Sequence, residues 1–435
     1  MTRPGRWIAG IVAALVGLVL IAAGGLAWWL PDDAQLAARV ASEFEQRTGV
    51  GLRVGSAHWT LRPGLSLVLG ELATAQKEPI TVRRLVLHAS LRELLARRIR
   101  IDDVEVEGAM FPRASAREFR GRGDATPEPL GPFAAHPVPV AQVRFEDVTW
   151  IDRRGIALAY DGRIEFDAGW MPRNAEVARR GVTPPARLQI TREADEVMKW
   201  RTDIEVGGGT WNGTATVEAL AGDKLRLHAD LAPRNVDIAG LTAAFGRQAA
   251  LVGRINGRTE VTAEGENPVE WARVLHTRTR FTVRPAVLRR FDLARAVRTA
   301  GISRGGQTPL DEIAGTLDTQ ATEEGTVLRY SNLKATSGVL TASGAGTVIN
   351  RRMDGELTVD IVDGVVGVPL KVGGTLDAPE LSLTGGALAG AAIGSAVLPG
   401  VGTAIGARLG QRMEKLFGGD DAPKGAAKKK KPVTR

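Results

Sequence analysis

The sequence predicts a mainly β protein. An N-terminal transmembrane helix should precede a long sheet rich in antiparallel pairs, with a few short helices and a Gly-rich helical hairpin near the C-terminus. Three observations predict it. Residues 8–30 carry no charge. From there to residue 384 short runs alternate apolar and polar side chains, the period of a half-buried strand. Beyond residue 384 glycine recurs every four positions.

The N-terminal run comes first. At ~1.5 Å per residue it reaches ~35 Å, enough to cross a ~30 Å hydrocarbon core with some tilt. Arg3 and Arg6 precede Trp7 and Ile8, and Trp28, Trp29 and Leu30 close the run ahead of Asp32 and Asp33. The positive-inside bias and the aromatic belt therefore agree on a cytoplasmic N-terminus and a single pass. A cleavable signal peptide is the alternative, with Gly25-Leu26-Ala27 as its small-residue site. The length of the run and the bulk of Trp28 and Trp29 favour a retained anchor.

Composition narrows the class. With 435 residues, 44% hydrophobic and 24% charged, the chain has material for more than one ordered region. The absence of cysteine excludes disulfides, thiolate metal sites, cysteine nucleophiles and lipidated cysteines together. A net charge of +8 would suit nucleic acid, but the topology places the basic residues outside the cytoplasm. Many also alternate with apolar ones, as in Arg83-Arg84-Leu85, which reads as a solvated strand face. No nucleic-acid partner is expected.

After the anchor, Asp32 and Asp33 can cap a helix carrying Leu36, Val40 and Phe44, with Gly49 at its stop. The period then changes to two: Leu52 and Val54, Trp59 and Leu61, and Leu65, Leu67 and Leu69 after the Pro63-Gly64 turn. Leu85 and Leu87 continue it. A short helix over residues 90–98 carries Leu91, Leu94 and Leu95, and Ile99, Ile101, Val104 and Val106 resume extended chain, with a bulge expected at Asp102-Asp103.

These residues carry a resemblance. Thr48-Gly49, the alternating Leu52 and Val54, the run from Trp59 through Leu69, and Leu94-Leu95-x-Arg97-Arg98-Ile99-x-Ile101 resemble the N-terminal domain of the AsmA family. A second stretch, residues 251–384, including Phe291-Asp292-Leu293-Ala294 and Gly344-Ala345-Gly346, is similar to that family's C-terminal region. Together they cover about half the chain. Gly108-Ala109-Met110 departs from the family's Gly-Pro step, and residues 113–237 match no family pattern. The resemblance implies a bacterial inner-membrane protein with a periplasmic body. It also implies kinship with chorein-type bridge proteins, whose β-grooves carry phospholipid, and hence an elongated, curved, groove-like antiparallel-rich β-sheet where alternation alone would favour a sandwich.

The middle opens with a proline-rich stretch, residues 112–139, which reads as a linker or loop. Strand signals return at Val143 and Phe145, Ile156 and Leu158, and Ile164 and Phe166. Asn212-Gly213 and Asp354-Gly355 are read as hairpin turns. The domains expected are thus an anchor at 1–30, an AsmA-like domain at 31–111, the linker at 112–139, a β body at 140–384, a helical hairpin at 385–418 and a basic tail at 419–435.

In the hairpin, Gly386, Gly390 and Gly394, then Gly402, Gly406 and Gly410 flank the Pro399-Gly400 bend. Small residues at that spacing let two helices approach closely, and the hairpin is a candidate second membrane contact. Its first arm, ~21 Å long, is too short to span. A flexible tail lying on its own body is the equal alternative. Lys424 and Lys428 to Lys431 form a solvated tail that anionic headgroups would attract.

Catalysis is weighed and set aside. Gly301-Ile302-Ser303-Arg304-Gly305 fits a nucleophile-elbow pattern, but the elbow needs a strand before it and a helix after it, and a helix precedes here. His58, His88, His136, His228 and His276 show no ligand spacing. No catalytic residue, metal or cofactor is expected.

Two function classes remain. One is a carrier shielding phospholipid acyl chains along the apolar strand faces. Its candidate lining is Leu52, Val54, Trp59, Leu65, Leu67, Leu69, Leu85, Leu87, Ile99, Ile101, Val104, Val106, Val143, Phe145, Ile164 and Phe166. Roughly 17 strands at ~4.8 Å would give a sheet ~80 Å long. The other is an envelope assembly factor whose β body binds or organises other proteins, influencing outer-membrane protein assembly or the targeting of proteins to the membrane, without lipid transport. Expected partners are membrane phospholipids and the inner membrane, with outer-membrane or envelope proteins in the second class.

Overall fold

The computed structural model describes residues 33–384, apart from 62–63, 119–133, 153, 168–170, 195, 197, 222–223, 267, 291, 299–304, 323–324, 362–364 and 377. The expected anchor, the glycine hairpin, the basic tail and Ser303 lie outside the described residues. Among the described residues, no helix is long and apolar enough to cross a membrane.

The described chain is mainly β, with few short helices. It divides into two units, Met1–Val283 with Leu317–Thr326 and Arg284–Thr316 with Val327–Arg435. Unit 1 opens with α1 (Asp33–Thr48), which starts on an acidic residue and ends at Gly49, φ +65°, the left-handed stop the sequence predicts. Then come β1 (Leu52–Thr60), β2 (Ser66–Thr74) and β3 (Thr81–Ala89), a one-turn helix α2 (Leu91–Leu95), and β4 (Arg98–Pro112). These four strands pair antiparallel in chain order. His88 faces Asp103 and Ala89 faces Ile101, so Asp102 is the extra residue of the expected bulge.

At its two described ends the proline-rich stretch forms regular structure. It holds a helix, α3 (Arg113–Glu118), and a strand, β5 (Ala134–Val140), which runs parallel to β4. Pairing at Ala134, Ala135 and Val140 skips Pro137 and Pro139, the residues without an N–H to donate. Next, β6 (Gln142–Ile151) pairs parallel with β4. From there β7 (Ala157–Phe166), β8 (Pro172–Arg179), β9 (Arg187–Arg192), β10 (Lys199–Val206), β11 (Gly209–Ala219) and β12 (Leu225–Arg234) form an antiparallel meander. A two-residue strand β13 (Val236–Asp237) leads into α4 (Ile238–Ala244), and β14 (Leu251–Gly265) pairs with both β12 and β13. A helix, α5 (Pro268–Val274), precedes β15 (His276–Arg289), the neighbour of β14.

Two predicted turns are strand interiors. Asn212-Gly213 lies within β11, and the β10–β11 turn is Gly207-Gly208, φ +57° and +66°. A side chain on Gly213 would place its Cβ 1.8 Å from the Asp230 carbonyl oxygen, so this glycine serves close strand approach.

In unit 2, α6 (Leu293–Arg298) is capped by Asp292, whose Oδ1 accepts from Arg295 N at 2.9 Å. β16 (Gln307–Leu310) pairs with the end of β15. After β17 (Glu312–Thr322) and β18 (Gly325–Thr336), β19 (Leu340–Ile349), β20 (Arg352–Ile361), β21 (Val365–Gly374) and β22 (Pro379–Leu383) continue as an antiparallel meander. Asp354-Gly355 lies inside β20, and Asn350-Arg351, φ +48° and +71°, makes the β19–β20 turn. The unit buries Leu293, Leu340, Val359, Leu370 and Leu381.

Candidate functional site: the apolar face of unit 1

Cross-strand partners share a face, so the registers of unit 1 trace one face from strand to strand. Trp59, Leu67, Leu87, Val104 and Val143 lie in one row, and Leu69, Leu85, Val106 and Phe145 in the next. Both rows continue past β6: Val143 faces Ile164, Ile164 faces Ala175, and Ala175 faces Ile190. Ile190 faces Thr202, and Leu188 bridges Val177 and Ile204. Beyond them lie Val217 opposite Leu227 and Leu227 opposite Ala263.

The opposite face is ionic. Arg144 binds Glu105 at 2.6 Å and also Asp103; Arg180 binds Glu146 at 2.9 Å; Arg187 binds Glu176 at 3.2 Å; Arg226 binds Glu264 at 2.8 Å. The hydrogen bond to Asp103 holds the Arg144 guanidinium above its ordinary pKa, against the pull of burial, and Glu105 adds to it. Glu165 is held below the usual carboxylate range, first by the Asn174 side chain and then by Arg163, against the opposing effect of burial. Exposed pairs of this kind each contribute only about 0–1 kcal/mol. Their effect is to commit this side of the sheet to water.

What covers the apolar face changes along unit 1. Over β1–β4 it is α1: Leu36 and Val40 join Ala57, Leu67, Leu69, Leu87, Ile101 and Val104 in one core, each at most 2% exposed. Leu65 is buried as well, and Leu52, Val54, Trp59, Leu85, Val106 and Val143 lie partly buried against that core. This part of the candidate lining is therefore closed by the chain itself. The Ile99 side chain lies outside the described residues. Past α1, the apolar side chains Phe145, Ile164, Phe166, Val177 and Ile190 are only half-buried, and Trp150 and Leu188 are 38% and 36% exposed.

Beyond β6 the apolar face is bridged at its strand ends. Six ladder steps separate β7 from β14, ~29 Å if the sheet were flat at ~4.8 Å per step. Yet Arg247, just after α4, binds Asp152 in the β6–β7 turn at 3.2 Å, and Arg179 Nε of β8 donates to the Ala244 carbonyl at 2.9 Å. The sheet is curved and not closed, and α4 with the residues after it spans the strand ends of β7–β10 on the apolar side. Asp237 Oδ2 caps α4 by accepting from Gly240 N at 2.8 Å, and the helix packs among Ala186, Val206, Val236 and Ala244 at one end of the strands. At the other end Trp271 of α5 joins Trp200, Val217 and Ala263, with Met171 and Met198 against them. Between the two plugs the face is lined by half-buried side chains of β6–β12.

Sequence reasoning reached Phe145, Ile164 and Phe166 but missed Val148, Trp150 and Tyr160 on the same face. Asp147, φ +56°, is an extra residue that moves the face from Phe145 to Val148. A strict period of two loses the register there. Leu188-x-Ile190 and Leu225-x-Leu227 were legible alternations.

A polar constellation occupies the opposite face. Ser66 Oγ lies 2.8 Å from His88 Nδ1, and His88 Nε2 lies 3.3 Å from Glu105. The composition is that of a Ser-His-carboxylate chain, but Ser66 is 1% exposed, so no substrate carbonyl reaches its hydroxyl. One ligand atom each of His88, Asp103 and Glu105 lies within 4.8 Å of the others. Arg144 already supplies positive charge to both carboxylates.

No protein-family model matches the chain, and no curated protein or solved structure gives a significant match.

Proposed function

We propose that this protein is a membrane-anchored carrier that shields phospholipid acyl chains in a groove formed by the apolar face of β6–β12. The observation that carries the proposal is the unequal treatment of the two sheet faces. One is covered by paired charges, and the other leaves half-buried apolar side chains between the α4 and α5 plugs. A surface of this kind invites an apolar occupant, and acyl chains supply about 0.8 kcal/mol per buried CH₂. The headgroup would stay at the rim, in water. The resemblance to the AsmA family and the apolar run at residues 8–30 support the same reading, with the body in the bacterial periplasm. The function needs no covalent chemistry.

The test uses the full chain incubated with a phospholipid that carries a photoreactive group midway along one acyl chain. Adducts should map to apolar-face residues of β6–β12. Adducts confined to residues 8–30 would reject the carrier and leave only an anchored protein in its annulus of lipid.

A further inference from the structure

The apolar tips at one end of unit 1 form a second surface, distinct from the apolar face of β6–β12. Leu61, in the turn between β1 and β2, is 63% exposed. On α2, Leu91 and Leu95 are 46% and 87% exposed, while Leu94 between them packs against the α1 core. Leu91 and Leu95 are four residues apart, so they share the outward side of that helical turn. The two connections are neighbours, because Ala89 N donates to the Leu65 carbonyl at 2.9 Å. Large apolar side chains are presented to the outside, next to a core against which Leu94 packs.

Two further facts say what meets them. The first is charge: Arg92, Arg97 and Arg98 are exposed around the tips, against Glu93, which pairs with Arg98 at 2.7 Å. Leucine tips ringed by arginine suit an interface where acyl chains lie beneath anionic headgroups. The second is where the chain outside the described residues joins. Ala75 N donates to the Gly51 carbonyl at 2.8 Å, so the last turn of α1 lies beside the β2–β3 turn, at the end of the sheet opposite the tips. The helix then folds back over β1 for 16 residues, ~24 Å at 1.5 Å each. Its first residue, Asp33, thereby returns toward the end that carries Leu61 and α2. The apolar run of residues 8–30 finishes just before Asp33.

We infer that the β1–β2 turn and α2 form a bilayer-docking end, in which Leu61, Leu91 and Leu95 insert into the interface of the membrane that holds the anchor. This deepens the proposed function and rests on its membrane anchor. It sets the strands of β1–β4 upright on the bilayer, so the groove begins beside the lipid it would draw from.

The chain has no cysteine, so single labelling sites need no background removal. Leu61→Cys, Leu95→Cys and, at the opposite end, Lys77→Cys each receive a nitroxide in the full chain. Each is reconstituted in vesicles of phosphatidylethanolamine and phosphatidylglycerol. Power saturation should show the labels at 61 and 95 losing collisions with an aqueous nickel complex and gaining them with oxygen, while the label at 77 keeps its aqueous access. Equal nickel access at 61, 95 and 77 would overturn the docking end. Acyl-chain photolabelling of the same vesicles reads the carrier proposal separately. Adducts on β6–β12 with water-exposed tips overturn the docking end alone. Seated tips without such adducts support the docking end and overturn the carrier alone.

Discussion

Asp152 shows how much of the bridging at the strand ends rests on single side chains. Its carboxylate accepts from Arg154 N at 2.7 Å and Ile156 N at 3.1 Å, closing the β6–β7 turn, while Arg247 reaches it from beyond α4. Burial pushes its pKa up, but the two N–H groups and the Arg247 charge outweigh that and leave it below the ordinary carboxylate value. A carboxyl depressed by folding stabilises fully above its unfolded pKa, and that stability is lost as pH falls through the folded value. Asp152→Asn should therefore cost about 1 kcal/mol at pH 7, with the gap to the parent chain closing below about pH 4. Urea unfolding followed by tryptophan fluorescence at both pH values checks this. A gap that stays constant would mean that the ion pair contributes nothing. Gly213 makes the complementary point about legibility: next to Asn it reads as a turn, yet what it answers is the Asp230 carbonyl of a strand whose proximity no local pattern announces.

At the scale of elements, α1 is the piece whose role changed most between sequence and structure. Its existence, its acidic start and its Gly49 stop were legible, because caps and a four-residue apolar spacing are local signals. That it lies over Leu67, Leu69 and Leu87 was not, because alternation marks an apolar face without saying what covers it. The consequence is measurable. Leu67 is 1% exposed beneath α1, so Leu67→Ala should destabilise unit 1 by about 2–5 kcal/mol, and Leu67→Asp should unfold its first strands, exposing α1 to protease. A folded, protease-resistant Leu67→Asp chain would mean that this position is not enclosed beneath α1 and that this stretch is open to lipid. The hairpins follow the same division. Positive φ at Gly207-Gly208 and Asn350-Arg351 is what a tight hairpin needs. Gly207-Gly208 is a readable signal, but Arg351 in that conformation is not one that sequence preference would select. The nearby Asp354-Gly355 therefore drew the turn away from its place.

At the scale of the whole molecule, one sequence rule, alternation, yields two surfaces with opposite chemistry, and curvature separates their fates. In a sandwich the apolar face would meet a second sheet along its whole length. In unit 1, α1 meets it over β1–β4, and α4 and α5 meet it only at the strand ends of the later part, leaving Leu188 and Ile190 on a face that no described element fills. If that face holds acyl chains, a charge there should damage binding far more than folding, the reverse of the result under α1. Leu188 is 36% exposed, so Leu188→Asp keeps its carboxylate within reach of water and should shift the unfolding free energy by no more than about 1 kcal/mol. In the presence of lipid the same carboxylate abuts hydrocarbon, and losing burial worth even two or three methylenes at ~0.8 kcal/mol each lowers occupancy by about tenfold or more. Photolabelling yield on β6–β12, measured beside urea unfolding of the same variant, reads both quantities. A variant that folds normally and labels as strongly as the parent chain would show that acyl chains do not run past Leu188. Equal and large losses in both measurements would instead mean that the half-buried face is a closed core, and the carrier reading would fail with it.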